Sequence, residues 1–194
     1  MGIGVLALVR LAPERVAGLT AAGYAVREGA KVASRIDALR DGGDVRAVLT
    51  NGRGGLSGDE MALLPKLEIV CAVGAGYEAV DLDTARSRGI AVANCPNTNA
   101  SAVADSAMML LMASTRQLLQ ADRFVRAGGW QDQWRVDTPT LSGKRLGILG
   151  MGTIGSKIAY RAVRGFDMEI GYHNWIVVIG FSYCYFDSLI ELTT

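Results

Sequence analysis

The stretch LGILGMGTIG, residues 146–155, decides the fold, because a short apolar strand runs directly into a Gly-x-Gly-x-x-Gly turn. Gly150 lets the chain turn sharply out of the strand, and Gly152 removes a side chain where a pyrophosphate must approach the backbone. Gly155 lets the following helix pack closely on the strand. A helix beginning near Thr153 would point its unpaired amides and positive dipole end at that anion. The stretch therefore predicts a nucleotide-phosphate site.

The residues around this turn have the pattern of a βαβ unit. Residues 145–149 form an apolar strand, and the apolar residues that follow recur at helical spacing until Gly165, which we expect to end the helix. Met168, Ile170 and Tyr172 then alternate as a second strand. The chain contains 24 glycines, so an ordinary strand-to-helix turn without a ligand is the alternative. The βαβ setting favours the nucleotide site.

Composition excludes several other classes of function. Half of the residues are apolar, a fifth are charged, and the net charge is +1, as in a globular protein with no electrostatic preference for nucleic acid or an anionic membrane. No apolar run approaches the roughly 20 residues that span a bilayer. The start of the chain has no signal-peptide pattern. The cysteines, Cys71, Cys95 and Cys184, predict buried free thiols in a reducing cytoplasm and no metal site.

Strand and helix signals alternate before the glycine turn, which predicts a parallel sheet covered on both faces. Pro13 and Gly23 are expected to start and end the first helix, Ser57 and Glu60 to form a capping box, and Asp81 to cap a later helix. Strands are expected at residues 3–9, 24–27, 45–50, 67–73 and 90–93.

A long helix over residues 100–126 is predicted next, and it would carry the chain into a second domain. The residues predicted to share one face of it are Val103, Ala107, Leu110, Leu111, Ser114, Leu118 and Ala121. In the connection that follows, Trp130 and Trp134 lie four residues apart. They would either stack on a ligand or, as we favour, seal a loop or a subunit contact.

Four segments together resemble the D-isomer-specific 2-hydroxyacid dehydrogenase family, particularly its glyoxylate and hydroxypyruvate reductase branch. In chain order they are VGAGYEAVD (73–81), NCPNTNASAVAD (94–105), LSGKRLGILGMGTIG (141–155) and FDSLIEL (186–192). The resemblance implies a flavodoxin-like substrate-binding α/β domain over residues 1–96. It also implies a partial Rossmann domain over 97–194, with parallel sheets in both. Because both Gly-rich turns follow strand ends, where open α/β sheets bind ligands, we also predict a cleft between 74–76 and 150–155.

The resemblance also implies the residues of a substrate site. In VGAGYEAVD the main-chain amides of Ala75 and Gly76 would hold a substrate carboxylate as an anion nest. Arg53, in NGRGG, would steer the same carboxylate. The alternatives are a plain Gly-rich turn for the first and an ordinary solvated arginine for the second.

The resemblance also implies which residues bind the cofactor. Val103 would lie near a nicotinamide, although packing on the helix face explains it equally well. Gly150 and Gly155 would shape the turn, and the amides facing the pyrophosphate would be those of Met151, Gly152, Thr153 and Ile154.

The end of the second strand bears on cofactor choice. NAD enzymes place a carboxylate there for the ribose hydroxyls, but this chain has His173 and Asn174. That absence favours NADP slightly over NAD. Trp175, however, occupies the place of the arginine that would bind a 2′-phosphate in the reductase branch. An apolar stretch, WIVVIGF (175–181), stands where the family usually has a polar, basic loop.

The resemblance implies hydride transfer between nicotinamide and a small 2-oxo acid such as glyoxylate or hydroxypyruvate. The family's catalytic arginine, glutamate and histidine lie further along its pattern than Thr194, so no catalytic residue is assigned. We expect an NAD(P)-dependent oxidoreductase that forms a homodimer and is inactive as this truncated chain. A non-catalytic, co-repressor-like nucleotide-binding protein is the alternative, and a remnant without function is the third.

Overall fold

The structure, a computed structural model, describes residues 2–32, 34–130, 134, 136–178, 182–188 and 191–192. The chain divides into two compact units, Met1–Thr98 and Asn99–Thr194. Parts of two predicted segments, residues 179–181 of WIVVIGF and 189–190 of FDSLIEL, lie outside the described residues.

Unit 1 is a parallel sheet of five strands in the order β2-β1-β3-β4-β5. This is the order of the flavodoxin-like doubly wound fold, and it agrees with the predicted fold class. Its strands are β1 Ile3–Ala7, β2 Tyr24–Arg27, β3 Val45–Thr50, β4 Ile69–Ala72 and β5 Ala91–Asn94. Its helices are α1 Pro13–Ala21, α2 Arg35–Arg40, α3 Gly58–Ala62 and α4 Leu82–Ser87, with a 3₁₀ turn at Gly29–Lys31.

The helix ends of unit 1 follow the local signals in the sequence. Pro13 opens α1, and Gly23 lies beyond its end with a φ of +89°. Ser57 and Glu60 form the predicted capping box of α3. The Asp81 carboxylate accepts from the Thr84 amide at 2.9 Å, a bond that lowers the pKa of Asp81. Helix α2, which has only six residues, was not predicted from the sequence.

The core of unit 1 is formed by buried residues of β1, β3 and β4 together with buried residues of the helices. Its fully buried members include Leu6, Leu39, Val45, Val48, Leu56, Met61, Leu64 and Val70. This core fixes the strand register, so the carboxyl ends of β3, β4 and β5 come to one edge of the sheet.

Unit 2 contains two helices, α5 Ala100–Thr115 and α6 Leu118–Arg126, and then a βαβ unit. The βαβ unit consists of β6 Arg145–Leu149, α7 Thr153–Phe166 and β7 Glu169–His173, and a short third strand, β8 Cys184–Tyr185, follows. Both strand pairs are parallel, and the order β6-β7-β8 matches one half of a Rossmann sheet. The predicted α/β class with parallel sheets is confirmed.

In unit 2 the sheet packs against the two longest helices, α5 and α7. Arg161 on α7 donates to Asp105 on α5 at 2.6 Å, and Met108 of α5 belongs to the same core as Tyr172. Side chains placed at Gly147 or Gly171 would crowd Leu192 and Phe186, so these glycines let the described ends of FDSLIEL lie against the sheet.

Four predictions from the sequence were wrong in detail. The predicted helix over 100–126 is interrupted by Gln117, whose φ is +50°. The buried side of α5 is formed by Ala100, Ala104 and Met108 rather than by the predicted face. Helix α7 continues past Gly165 to Phe166, and Asp167, with a φ of +50°, ends it. The predicted thiol burial is also corrected: Cys71 is half-buried, whereas Cys95 and Cys184 are exposed.

Two further properties concern membrane and metal. No helix among the described residues combines the length and apolarity needed to cross a bilayer. Within the same part of the chain, no cluster of three or more histidine, cysteine, aspartate or glutamate residues has the arrangement of a metal site.

Candidate functional site

The glycine turn of unit 2 has the backbone geometry expected from its sequence. Gly150 has a φ of +95°, which favours glycine, and its amide donates to the His173 carbonyl at 2.9 Å. A Cβ on Gly155 would overlap the Gly150 carbonyl oxygen. The turn and the first turn of α7 therefore touch backbone to backbone, which only glycine at position 155 permits.

The main-chain amides after Gly150 form a row of unpaired donors. The first helical bond of α7 runs from Ser156 to the Gly152 carbonyl at 2.9 Å. No described residue accepts a hydrogen bond from the amides of residues 151–155, and no side chain caps this helix end. A Cβ on Gly152 would meet no protein atom within 4 Å. A dinucleotide pyrophosphate fits these donors and this space.

The end of β7 is held by a small network of side chains. His173 Nδ1 donates to the Phe186 carbonyl at 2.8 Å, since a carbonyl only accepts, and its ring stacks on Tyr185 at 6.3 Å. The Tyr185 hydroxyl donates to the Asn174 carbonyl at 3.2 Å. This network fixes the direction in which the chain leaves the strand.

A pocket of about 480 Å³ opens beside the glycine turn at the ends of β6 and β7. Its lining residues are Leu149, Gly150, His173, Asn174 and Trp175. None of these five is an aspartate, glutamate, lysine or arginine. Among the described residues, the lining thus offers neither the carboxylate typical of NAD sites nor a fixed cation for a 2′-phosphate.

The predicted carboxylate nest of unit 1 follows β4. Gly74 has a φ of +122°, and no described residue accepts from the amides of Ala75 or Gly76. The Asn94 side chain donates to the Ala75 carbonyl at 2.7 Å, and the Cys95 amide donates to the Gly74 carbonyl at 2.8 Å. Sequence reasoning missed this anchoring role of Asn94, although the residue ends the neighbouring strand.

Arg53 lies in the adjacent loop, which follows β3. The two loops meet closely, because the Ala79 amide donates to the Gly52 carbonyl at 3.1 Å and a Cβ on Gly52 would collide with Gly76. The Arg53 side chain is exposed and forms no ion pair with a described residue. The structure therefore brings Arg53 onto a loop in contact with the loop of Ala75 and Gly76.

A partly buried network of hydrogen bonds holds the loop that carries Arg53. Thr50, which is fully buried, donates to the Gly55 carbonyl at 2.7 Å, and Arg35 donates to the same carbonyl at 2.9 Å. Arg35 also binds Glu60 through two hydrogen bonds, at 2.5 and 3.0 Å. Burial opposes ionisation of Glu60, but the bonds from Arg35 and Ser57 outweigh it and lower the pKa of Glu60.

Two other predicted features lie outside these clusters. Val103 occupies the first turns of α5 and is about a third exposed, at 37%. It belongs to the same unit as the glycine turn but lies on a different element. Cys71 lies on β4, where burial and then the neighbouring Cys95 raise its pKa.

Comparison with known proteins agrees with this architecture. Residues 5–179 match the family model "D-isomer specific 2-hydroxyacid dehydrogenase, catalytic domain". A hydroxyphenylpyruvate reductase of Plectranthus scutellarioides is 37% identical over 150 residues, which cover 77% of this chain and 48% of the relative. A glyoxylate/hydroxypyruvate reductase of Arabidopsis thaliana is 36% identical over 148 residues, which cover 76% and 47%.

Solved structures give the same result over nearly the whole chain. A 2-hydroxyacid dehydrogenase from Ketogulonicigenium vulgare superposes with a TM-score of 0.85 at 29% identity, covering 99% of this chain and 61% of that one. The NADPH-dependent glyoxylate/hydroxypyruvate reductase of Sinorhizobium meliloti, in complex with citrate, gives 0.80 at 29% identity, covering 98% and 60%. The chain spans about half the length of the curated relatives it matches. Taken with its two parallel sheets and its glycine turn, these matches show that the chain belongs to the D-isomer-specific 2-hydroxyacid dehydrogenase family.

Proposed function

We propose that this chain is part of an NAD(P)-dependent oxidoreductase that reduces a small 2-oxo acid such as glyoxylate or hydroxypyruvate. The observation that carries the proposal is the row of amides at residues 151–155 that donate to no described residue, at a turn where a Cβ on Gly152 would meet no protein atom within 4 Å. These donors lie at the carboxyl end of a parallel strand, where open α/β sheets bind ligands.

Each cluster has a separate role in this proposal. The amides of Ala75 and Gly76 would hold the substrate carboxylate, and Arg53 would attract it electrostatically. The amides of the glycine turn would hold the pyrophosphate, and Val103 would lie toward the nicotinamide. The nicotinamide, when bound, supplies or accepts the hydride. Unit 1 would then be the substrate-binding domain and unit 2 the cofactor-binding domain.

For the cofactor, we propose that NADP binds at least as well as NAD. Of the residues that the structure describes, those lining the pocket at the ends of β6 and β7 include no carboxylate that would repel a 2′-phosphate. They also include no lysine or arginine to attract one, so we expect a difference of only about 1 kcal/mol. The Sinorhizobium meliloti relative is named as NADPH-dependent, which supports the same direction.

For the assembly, we propose a homodimer formed through α6 and the residues after it. Leu118, Leu119, Val125 and Trp130 are each more than half exposed, which is unusual for so many large apolar side chains in one short segment. Light scattering of the purified chain tests this, and a monomer at micromolar concentration would contradict it.

Calorimetric titration with NADH and NADPH tests the cofactor proposal. We expect binding of both cofactors to the native chain and none to the Gly152→Val variant, because valine would fill the space of the pyrophosphate. Gly165→Val serves as a control, since a Cβ at position 165 also meets no protein atom and the residue lies at the other end of α7. Equal binding by the native chain and Gly152→Val would overturn the proposed site.

A further inference from the structure

Trp175 is the residue immediately after Asn174, and it lies at the mouth of the pocket beside the glycine turn. Its side chain is fully exposed, at 100%, although tryptophan is usually among the most buried residues on average. It lines the pocket together with Leu149, which is 67% exposed. A large apolar ring and an apolar strand end therefore border the same cavity.

The backbone that carries Trp175 is held by hydrogen bonds on both sides. The Asn174 side chain donates to the Ile176 carbonyl at 3.2 Å. The Val178 amide donates to the Tyr172 hydroxyl at 3.2 Å, and that hydroxyl lies 3.4 Å from the Val178 carbonyl. The Tyr185 hydroxyl donates to the Asn174 carbonyl, so the segment 174–178 is hydrogen-bonded to strand residues at both of its ends, Asn174 and Val178. The indole is thus presented at little cost in backbone entropy.

We infer that Trp175 is the residue on which the adenine ring of the nucleotide stacks, and that this stacking replaces charge recognition at the ribose end of the site. The inference rests on the proposed function. None of the described lining residues is an aspartate, glutamate, lysine or arginine that could recognise the ribose end by charge, and an exposed indole offers a flat face that accepts any adenine nucleotide. Stacking does not distinguish a 2′-hydroxyl from a 2′-phosphate. Trp175 therefore raises the affinity for NAD and NADP alike.

The test measures binding of AMP, NAD⁺ and NADP⁺ by calorimetry to the native chain and to Trp175→Ala, Trp175→Phe and Trp130→Ala. Stacking on an aromatic side chain contributes about 1–3 kcal/mol per base, so Trp175→Ala should bind all three nucleotides about 5- to 150-fold more weakly. The ratio of the NAD⁺ and NADP⁺ dissociation constants should stay the same. Trp175→Phe should retain most of the affinity, and Trp130→Ala, which lies on a different pocket, should retain all of it.

Fluorescence gives an independent measurement. Nucleotide binding should quench the tryptophan emission of the native chain, and Trp175→Phe should lose this quenching while calorimetry still detects binding. Unchanged affinity in Trp175→Ala, or quenching that persists in Trp175→Phe, would overturn the inference. If Gly152→Val abolishes binding while Trp175→Ala has no effect, only this inference fails. If the native chain binds no nucleotide, the proposed function fails with it.

Discussion

Replacing single glycines of helix α7 by alanine separates the folding role of each glycine from its binding role. At Gly165 an added Cβ meets no atom, so Gly165→Ala should stabilise unit 2 by about 0.5–1 kcal/mol through helix propensity alone. Gly155→Ala has the same propensity gain, but its Cβ would overlap the carbonyl oxygen of Gly150. Because that oxygen belongs to the backbone, no rotamer change relieves the contact. Overpacking of this kind costs about 1–3 kcal/mol.

We therefore expect Gly155→Ala to be less stable than Gly165→Ala by about 1–3 kcal/mol. Urea unfolding followed by tryptophan fluorescence measures this difference. All three tryptophans, Trp130, Trp134 and Trp175, belong to unit 2, so the signal reports on that unit. If Gly155→Ala proves as stable as Gly165→Ala, the close backbone contact between the turn and α7 is wrong.

Gly152→Ala should behave in the opposite way to Gly155→Ala. Gly152 has φ −86° and ψ −159°, an extended conformation open to alanine, and no atom lies near the added methyl group. The helix cap should lose no more than about 1 kcal/mol. Cofactor affinity, in contrast, should fall steeply, since the methyl group enters the space of the pyrophosphate. Native-like affinity in a folded Gly152→Ala chain would refute the assignment of that space.

Three other outcomes are expected. Glu60→Gln should destabilise unit 1 by about 1.5–3 kcal/mol in calorimetric unfolding at neutral pH. Because the pKa of Glu60 is lowered on folding, the difference in stability between the native chain and Glu60→Gln should disappear as the pH falls below about 4. A destabilisation independent of pH would contradict this electrostatic account. Trp175→Arg should raise the affinity ratio of NADP over NAD by about tenfold in calorimetry, through a charge-assisted contact with the 2′-phosphate, and an unchanged ratio would place that phosphate elsewhere. The purified 194-residue chain should reduce neither glyoxylate nor hydroxypyruvate measurably in a spectrophotometric assay. Reduction needs a proton donor, and the single histidine of the chain, His173, is hydrogen-bonded to the Phe186 carbonyl at the end of β7. Clear turnover would show that another group donates the proton.

The parts of the fold that local signals encode were predictable from the sequence. Pro13 fixes its own φ, Ser57 and Glu60 satisfy each other's backbone amides, and Gly150 adopts a conformation that other residues rarely take. Each of these effects acts within four residues along the chain. The glycine turn was therefore placed correctly, and so was the parallel β6–β7 pair around it.

The parts that depend on distant neighbours were not predictable. Gln117 takes a left-handed conformation, at a cost of about 1–2 kcal/mol for such a residue, in a run of good helix formers. No local sequence signal marks this break. Asn94 supports the loop of Ala75, and Tyr185 holds the chain at Asn174, because parallel strands bring residues far apart in sequence side by side. Local sequence patterns do not predict contacts between residues so far apart in the chain.

The two candidate anion sites are built from main-chain amides, so the net charge of the chain does not indicate whether it binds anions. Each consists of main-chain amides exposed after a parallel strand, at Ala75 and Gly76 in unit 1 and at residues 151–155 in unit 2. Partial charges of this kind are fixed by backbone conformation, so they need no lysine or arginine and are not lost when surface charges change. Anion binding at these sites is then most sensitive to substitution of the glycines that permit the backbone conformation, such as Gly150. A chain with a net charge of +1 can therefore hold two anionic groups without a basic patch.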